Sequence, residues 1–300
     1  MKRSTLKAYK ERMLRVLVYI QQHLDDELSL EELARVACFS PYHFHRIFRG
    51  MLGESVGEHI RRLRLERAAS QLKRSDKPII EIALEAGYET HEGFSRAFKA
   101  MESVSPSEFR SCSRSTLRIS TPSGVHYRGG KQLKDFSPVR SGGESMDVKI
   151  ETIEPIRVAF VRHIGPYGEC SAAWGKLTVQ LGKQGMLGAD TRFIGICYDD
   201  PEVTPPEKLR YDACVTVNDD FGAEGEIGVQ TITGGQYAVT THFGPYEKLG
   251  ETYAKLLGEW LPVSGRELRS APCLECYLND PDGTEPEDLI TDIYAPLEPR

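Results

Sequence analysis

Residues 273–277 read Cys-Leu-Glu-Cys-Tyr. Side chains alternate across a strand, so Cys273, Glu275 and Tyr277 share one face if this segment is extended. A carboxylate beside aromatic faces is what holding a cation away from water requires. Tyr167, Trp174, Tyr246 and Tyr253 are the aromatic side chains available as walls. The pair Cys273 and Cys276 raises a second chemistry, zinc binding. A structural zinc site needs four ligands, no second pair stands at suitable spacing, and residues three apart in a strand point to opposite faces. No metal is expected. The chain also lacks a Gly-x-Ser-x-Gly elbow, a phosphate-binding Gly-Lys-Ser/Thr loop and a His-Glu-x-x-His helix. No enzymatic activity and no cofactor are expected on these grounds.

The elements that would position Glu275 are repeated. His163-Ile-Gly-Pro-Tyr167 returns as His242-Phe-Gly-Pro-Tyr246, 79 positions later, and at the same offset Trp174, Lys176 and Leu177 match Tyr253, Lys255 and Leu256. Asp200-Pro201-x-x-Thr204-x-Pro206-Glu207-x-Leu209-x-x-Asp212 then recurs from Asp280 to Asp292, seven identities at an offset of 80. Alternating patterns at 148–150, 158–162, 193–198 and 211–217 read as strands. The second half of the chain is therefore expected to be an α+β domain of two duplicated βαββ halves, residues 147–300, with a concave site at their seam. The position paired with Glu275 in the first copy is Gly195, so one copy brings the charge and the other the space. His163 and His242 are read as stabilising the strand-to-helix turns, in which Gly and Pro set the backbone.

The first 110 residues are periodic at the helical spacing. Met13, Leu14, Leu17, Ile20 and Leu24 fall on one helical face. Start signals follow at Ser29-Leu-Glu-Glu32, Ser40-Pro41, Ser55-Val-Gly-Glu58, Lys77-Pro78, Thr90 and Ser105-Pro-Ser-Glu108, and Gly87 marks a stop. An all-α domain of about seven helices is expected. Within it Arg46-Ile-Phe48-Arg49 and Arg96-Ala-Phe98-Lys99 stand 50 residues apart, each on the second helix of a helix-turn-helix pair. Residues 111–146, rich in Ser, Gly and Arg, read as a flexible linker with a stray strand near 116–119.

Charge separates the same halves. Residues 1–146 hold 25 Lys and Arg against 18 Asp and Glu, a net of +7; residues 147–300 hold 13 against 26, a net of −13. The first half suits a polyanion and the second a neutral or cationic partner. Seven scattered cysteines fit reduced thiols rather than a disulfide framework. The opening MKRSTLKAYKERM is basic without an apolar core, and no apolar run approaches the roughly 20 residues of a membrane span. A cytoplasmic location and no membrane partner are expected.

Ile82-Ala83-x-x-Ala86-Gly87-Tyr88, Phe94-Ser-Arg-Ala-Phe-Lys99 and Ser105-Pro-Ser-Glu-Phe-Arg110 carry a resemblance. Over about residues 8–110 the chain resembles the double helix-turn-helix DNA-binding region of the AraC/XylS regulators. It departs at Met101-Glu-Ser-Val104, where that family usually has glycine after the helix. The resemblance implies two recognition helices joined by one long helix, read here as Val56–Lys73. Its 18 residues span about 27 Å at ~1.5 Å per residue, and two units so joined can reach successive major grooves, roughly 34 Å apart. Tyr42, His45 and Arg46 on the first recognition helix and His91, Glu92 and Arg96 on the second are the candidate base contacts, since Arg pairs bidentately with guanine and Glu accepts from cytosine. Arg49, Arg61 and Lys99 are the candidate phosphate contacts. Both reading heads lie in one chain, so a monomer or weak dimer on double-stranded DNA is expected, with RNA polymerase a candidate partner.

From about Asp147 to Pro296 the chain resembles the GyrI-like effector-binding domains, and as a whole the Rob-type architecture. That resemblance implies a cleft for a small lipophilic, cationic molecule. Glu275 is then the counter-ion, with Tyr167, Trp174, Tyr246, Tyr253 and Tyr277 about it. Some GyrI-like domains resemble small hydrolases built on a buried Glu and Tyr. The alternative reading is therefore a hydrolase fused to a DNA-binding domain, with Glu275 and either Tyr277 or Tyr253 as the reacting pair.

Overall fold

The computed structural model describes residues 2–112, 121–140, 146–201 and 204–299, with side chains from residue 5 onward. The strand expected near 116–119 lies outside the described residues. Two compact units divide the chain. One is Lys7–Phe39 with Phe48–Arg140; the other is Met1–Leu6, Ser40–Ile47 and Ser141–Arg300. The division thus differs from the expected boundaries at 8–110 and 147–300, chiefly because Ser40–Ile47 groups with the C-terminal half.

Seven helices make up the N-terminal part of the described chain: α1 (Lys2–Gln22), α2 (Leu30–Ala37), α3 (Pro41–Leu52), α4 (Val56–Arg74), α5 (Ile79–Glu85), α6 (His91–Glu102) and α7 (Pro106–Ser111). Four begin at the cap residues read from the sequence. Ser29, Ser55, Thr90 and Ser105 each accept a backbone N–H three residues on, and Glu58 and Glu108 return the bond to complete capping boxes. These contacts satisfy amides that a helix start otherwise leaves without partners. The helical core gathers Leu65, Ala69 and Leu72 of α4, Ile82 and Ala83 of α5, Phe94 and Phe98 of α6, and Phe109 of α7. At the end of α6, Ser103 sits at φ +66. This is the stretch where glycine is usual in the AraC/XylS pattern, and a side chain in that left-handed region is disfavoured by about 1–2 kcal/mol.

The open linker expected over 111–146 is corrected for residues 121–140. There the chain has no regular structure but is packed: Val125, Leu133 and Phe136 are buried. The Val125 carbonyl accepts from Arg62 Nη1 at 2.9 Å, the Tyr127 amide donates to Glu66 Oε2 at 2.6 Å, and the Val139 amide donates to the Met51 carbonyl at 2.9 Å. Three apolar anchors in twenty residues, set among Gly124, Gly129, Gly130, Pro122 and Pro138, are too sparse to make a periodic signal.

Glu54 makes the stability of this unit depend on pH. It hydrogen-bonds to His59 Nδ1 at 2.7 Å and accepts from Arg62 Nε at 3.0 Å. Burial alone would raise its carboxyl, but the bonds and charges of His59 and Arg62 outweigh burial and hold it at about 2. A depressed carboxyl contributes stability above its unfolded value of 4.5 and loses it as pH falls toward about 2. Glu54→Gln is expected to remove on the order of 2–3 kcal/mol at pH 7 and nearly nothing at pH 2. Urea titrations of both chains at several pH values check this; a pH-independent difference would remove Glu54 from the account.

The second unit is built on one antiparallel sheet of eight strands: β1 (Lys149–Ile153), β2 (Ile156–Ile164), β3 (Phe193–Cys197), β4 (Arg210–Thr216), β5 (Gly228–Ile232), β6 (Gly235–Phe243), β7 (Cys273–Tyr277) and β8 (Ile290–Pro296). Their order is β1-β6-β8-β7-β3-β4-β2-β5. The order β–α–β–β occurs twice, as β2-α8-β3-β4 and β6-α9-β7-β8. Here α8 is Ser171–Lys183, and α9 is Leu249–Ala254, continuing through a π-helical turn, Lys255–Trp260, to Leu261–Ser264. The two runs meet where β3 pairs with β7, and there Gly195 lies directly opposite Glu275. Ala173, Leu177 and Leu181 of α8 close one face of the sheet over Ala159, Val161, Tyr211 and Ala213.

The two Gly-Pro-Tyr turns are alike in detail. Gly165 has φ +145 and Gly244 has φ +118. His163 Nε2 lies 2.9 Å from the Pro166 carbonyl, and His242 Nε2 lies 3.2 Å from that of Pro245. Each imidazole thus ties down the turn that carries the chain from strand to helix.

Candidate effector site

Glu275 is at the centre of the sheet with 6% of its surface exposed. Both carboxylate oxygens are engaged. Oε1 accepts from the Tyr253 hydroxyl at 3.0 Å and lies 3.3 Å from Cys197 Sγ; Oε2 accepts from the Tyr277 hydroxyl at 2.9 Å. The Tyr277 and Tyr211 oxygens are 2.9 Å apart, and Trp174 Nε1 donates to Tyr211 at 3.2 Å. The Trp174 and Tyr246 rings meet Tyr277 edge-on at 5.8 and 5.4 Å. Tyr167 stands one ring away, 5.7 Å from Tyr211, with its hydroxyl on the Asp199 carbonyl at 2.6 Å.

Burial, and then the charge of Glu275, pushes the Tyr253 and Tyr277 hydroxyls well above the ordinary phenol range. Tyr211 is raised too, by burial first and then by Cys197, Cys170 and Glu275, and Tyr246 is pushed up to about 12 by burial and the Glu275 charge. At neutral pH these phenols are therefore hydrogen-bond donors. The cluster is a carboxylate fixed by neutral donors and walled by rings, a chemistry suited to a cation rather than an anion.

Gly195 makes the arrangement spatially feasible. A Cβ there would lie 2.6 Å from both the Tyr211 and Tyr277 oxygens. The repeat matches Gly195 to Glu275, and the strand pairing adds that the two lie opposite each other and that the space at 195 is a packing requirement. Of the six effector residues expected from sequence, Glu275, Tyr253, Tyr277, Trp174 and Tyr246 form one connected group, and Tyr167 joins it through Tyr211. Tyr211 was not anticipated. Its alternation with Ala213 and Val215 toward α8 is the signal that would have shown it.

A second buried carboxylate lies two strands away, on β4. Asp212 accepts from Arg162 Nε and Nη2 at 2.8 and 2.9 Å, from the Tyr198 hydroxyl at 2.9 Å and from Gln230 Nε2 at 2.9 Å. It is fully satisfied and structural. No group of three or more His, Cys, Asp or Glu able to hold a metal occurs among the described residues. No described helix is long and apolar enough to cross a membrane.

The candidate DNA contacts separate. On α6, His91, Glu92, Arg96 and Lys99 are exposed while Phe94 and Phe98 point into the helical core; Arg61 on α4 is exposed too. On α3, Tyr42 and Arg49 are half-buried, whereas His45 and Arg46 are buried, with 3% and 9% of their surfaces exposed. Both lie in the segment that belongs to the sheet unit. His45 Nδ1 is 2.9 Å from Asp200 Oδ2, and the Arg46 guanidinium lies over the Tyr253 ring at 3.9 Å. The sequence gives an amphipathic helix here but no sign of which residues would cover its polar face.

The profile of the GyrI-like small molecule binding domain matches residues 146–298. The chain belongs to that family. A helix-turn-helix domain profile matches residues 33–111. Among curated proteins the chain is 38% identical over 106 residues to the probable transcriptional regulator YgiV of Escherichia coli, covering 35% of this chain and 66% of that one. It is 36% identical over 95 residues to the transcriptional regulator Rob of Salmonella typhimurium, covering 32% of this chain and 33% of that one. These matches therefore span less than two thirds of either relative. Among solved structures it is similar to the EcmrR C-terminal domain, with 22% identity, TM-score 0.42, and coverage of 51% of this chain and 98% of that one.

Proposed function

We propose that this chain is a sequence-specific DNA-binding transcription regulator whose GyrI-like domain senses a small lipophilic cation. The observation that carries the reading is Glu275, a buried carboxylate ringed by phenols, in a chain that also bears a helix-turn-helix domain. A net charge of −13 over residues 147–300 favours a cationic ligand. We read the two β–α–β–β runs as duplicates of one another, since the seven identities at offset 80 fall on matching loops and strands. Sensing is favoured over hydrolysis because the same chain bears a helix-turn-helix domain over residues 33–111.

DNA recognition is assigned to α6 through Arg96, His91 and Glu92, and to α3 through Tyr42, with His45 and Arg46 joining it only once they leave Asp200 and Tyr253. Arg49, Arg61 and Lys99 serve the phosphates. Selection from a random duplex pool with the full chain is expected to enrich one site. Arg96→Ala should lose about 1–3 kcal/mol on that site and relax preference at one position. Lys99→Ala should weaken all duplexes alike and lower the salt slope. If the pool yields no enriched site, the DNA reading fails.

A further inference from the structure

We propose that Arg46 is the resident occupant of the effector cleft, and that a ligand cation enters by displacing it. This rests on the reading of the cleft as a cation site, and it makes cleft occupancy a control on α3.

The seat is specific. Arg46 lies face-on to Tyr253 at 3.9 Å, the same tyrosine that donates to Glu275 at 3.0 Å. Its Nε is 3.8 Å from Asp200 Oδ2, and that oxygen also holds His45 Nδ1 at 2.9 Å. His43, one turn earlier, places Nε2 3.3 Å from the Arg269 carbonyl and Nδ1 3.9 Å from Cys273 Sγ. The guanidinium thus sits between Tyr253 and Asp200, and Cys197 lies 3.3 Å from Glu275 on the far side of the Tyr253 hydroxyl bond. A charged side chain buried to 9% exposure requires compensation. The ring face and the Asp200 carboxylate supply it. These are the chemical elements that a lipophilic cation would use: a π face, a nearby carboxylate and exclusion of water.

Two consequences follow. A guanidinium on Tyr253 cannot at the same time reach a guanine in a major groove, so the seated state withholds a candidate base contact. A ligand must compete with an internal cation, so its apparent dissociation constant is raised by the reciprocal of the fraction of chains in which Arg46 has left. Ligand binding and release of Arg46 are then two views of one equilibrium.

The test uses the full chain and has an arm that needs no ligand. Phenylglyoxal modifies accessible arginines, and peptide mass spectrometry gives a rate for each. In the ligand-free chain Arg46 should react at least ~10-fold more slowly than exposed Arg96, and Tyr253→Ala or, separately, Asp200→Asn should bring the Arg46 rate up toward that of Arg96. Equal rates for Arg46 and Arg96 in the unmodified chain would overturn the proposal. In the second arm, saturating tetraphenylphosphonium should accelerate modification of Arg46, and Arg46→Met should tighten tetraphenylphosphonium binding by about 10-fold, the reciprocal of an open fraction of about one tenth. Calorimetric binding with Arg46 still protected, or unchanged affinity in Arg46→Met, would overturn displacement. If neither chain binds the cation while Arg46 is protected and Tyr253→Ala exposes it, the seat stands and the cation-sensing reading of the cleft falls.

Discussion

Glu275→Gln is expected to weaken tetraphenylphosphonium binding about 30-fold while leaving triphenylphosphine oxide, a neutral molecule of similar bulk, within about twofold. The substitution keeps the shape and removes the charge. A cation close to a desolvated carboxylate gains more than at a surface pair, because screening is reduced, although desolvation opposes the gain. A net of about 2 kcal/mol corresponds to the 30-fold figure. Glutamine has one accepting oxygen where glutamate has two, so only one of Tyr253 and Tyr277 keeps its acceptor. Tyr277 has an alternative at Tyr211, 2.9 Å away, which limits the structural cost. Calorimetric titration of the full chain with both molecules reads the result. Equal losses for the cation and the neutral molecule would remove the counter-ion role.

Gly195→Ala is the second large effect. It should cost about 1–3 kcal/mol of stability and abolish cation binding more completely than its size suggests. The added methyl would meet the Tyr211 and Tyr277 oxygens at 2.6 Å, so these two phenols must move apart. That movement breaks the bond between Tyr277 and Glu275 and shifts the ring against which Trp174 and Tyr246 pack. Urea denaturation and the same titration measure the two parts. Gly195→Ala with ordinary stability and affinity would mean that the tyrosine pair does not set the geometry of the cleft.

Much of this is legible in the residues themselves. Hydroxyl caps with a glutamate three residues on marked α4 and α7, because capping is local chemistry written in adjacent residues. The alternation of Cys273, Glu275 and Tyr277 identifies their shared strand face, and the offset of 80 identifies Gly195 as the equivalent position in the first copy; that the two face each other across β3 and β7 is seen only in the fold. What stayed hidden was non-local. Val125, Leu133 and Phe136 anchor residues 121–140 singly, too few apolar positions among glycines and prolines to read as an element. Arg46 and His45 looked like exposed polar positions, since α3 alternates apolar and polar faces as any surface helix does. Their partners Asp200 and Tyr253 stand more than 150 residues away in the sequence. Only the folded arrangement shows that the polar face of α3 is covered.

The central claim is that one chain couples cation sensing to DNA recognition. The most direct measurement is the affinity of the full chain for its selected duplex, taken with and without saturating tetraphenylphosphonium and repeated for Glu275→Gln. The cation is expected to tighten binding of the selected duplex by about tenfold, the most that releasing an open fraction of about one tenth allows, and Glu275→Gln to require a far higher cation concentration for the same change. An affinity that is identical with and without the cation, in a chain that demonstrably binds both, would contradict it.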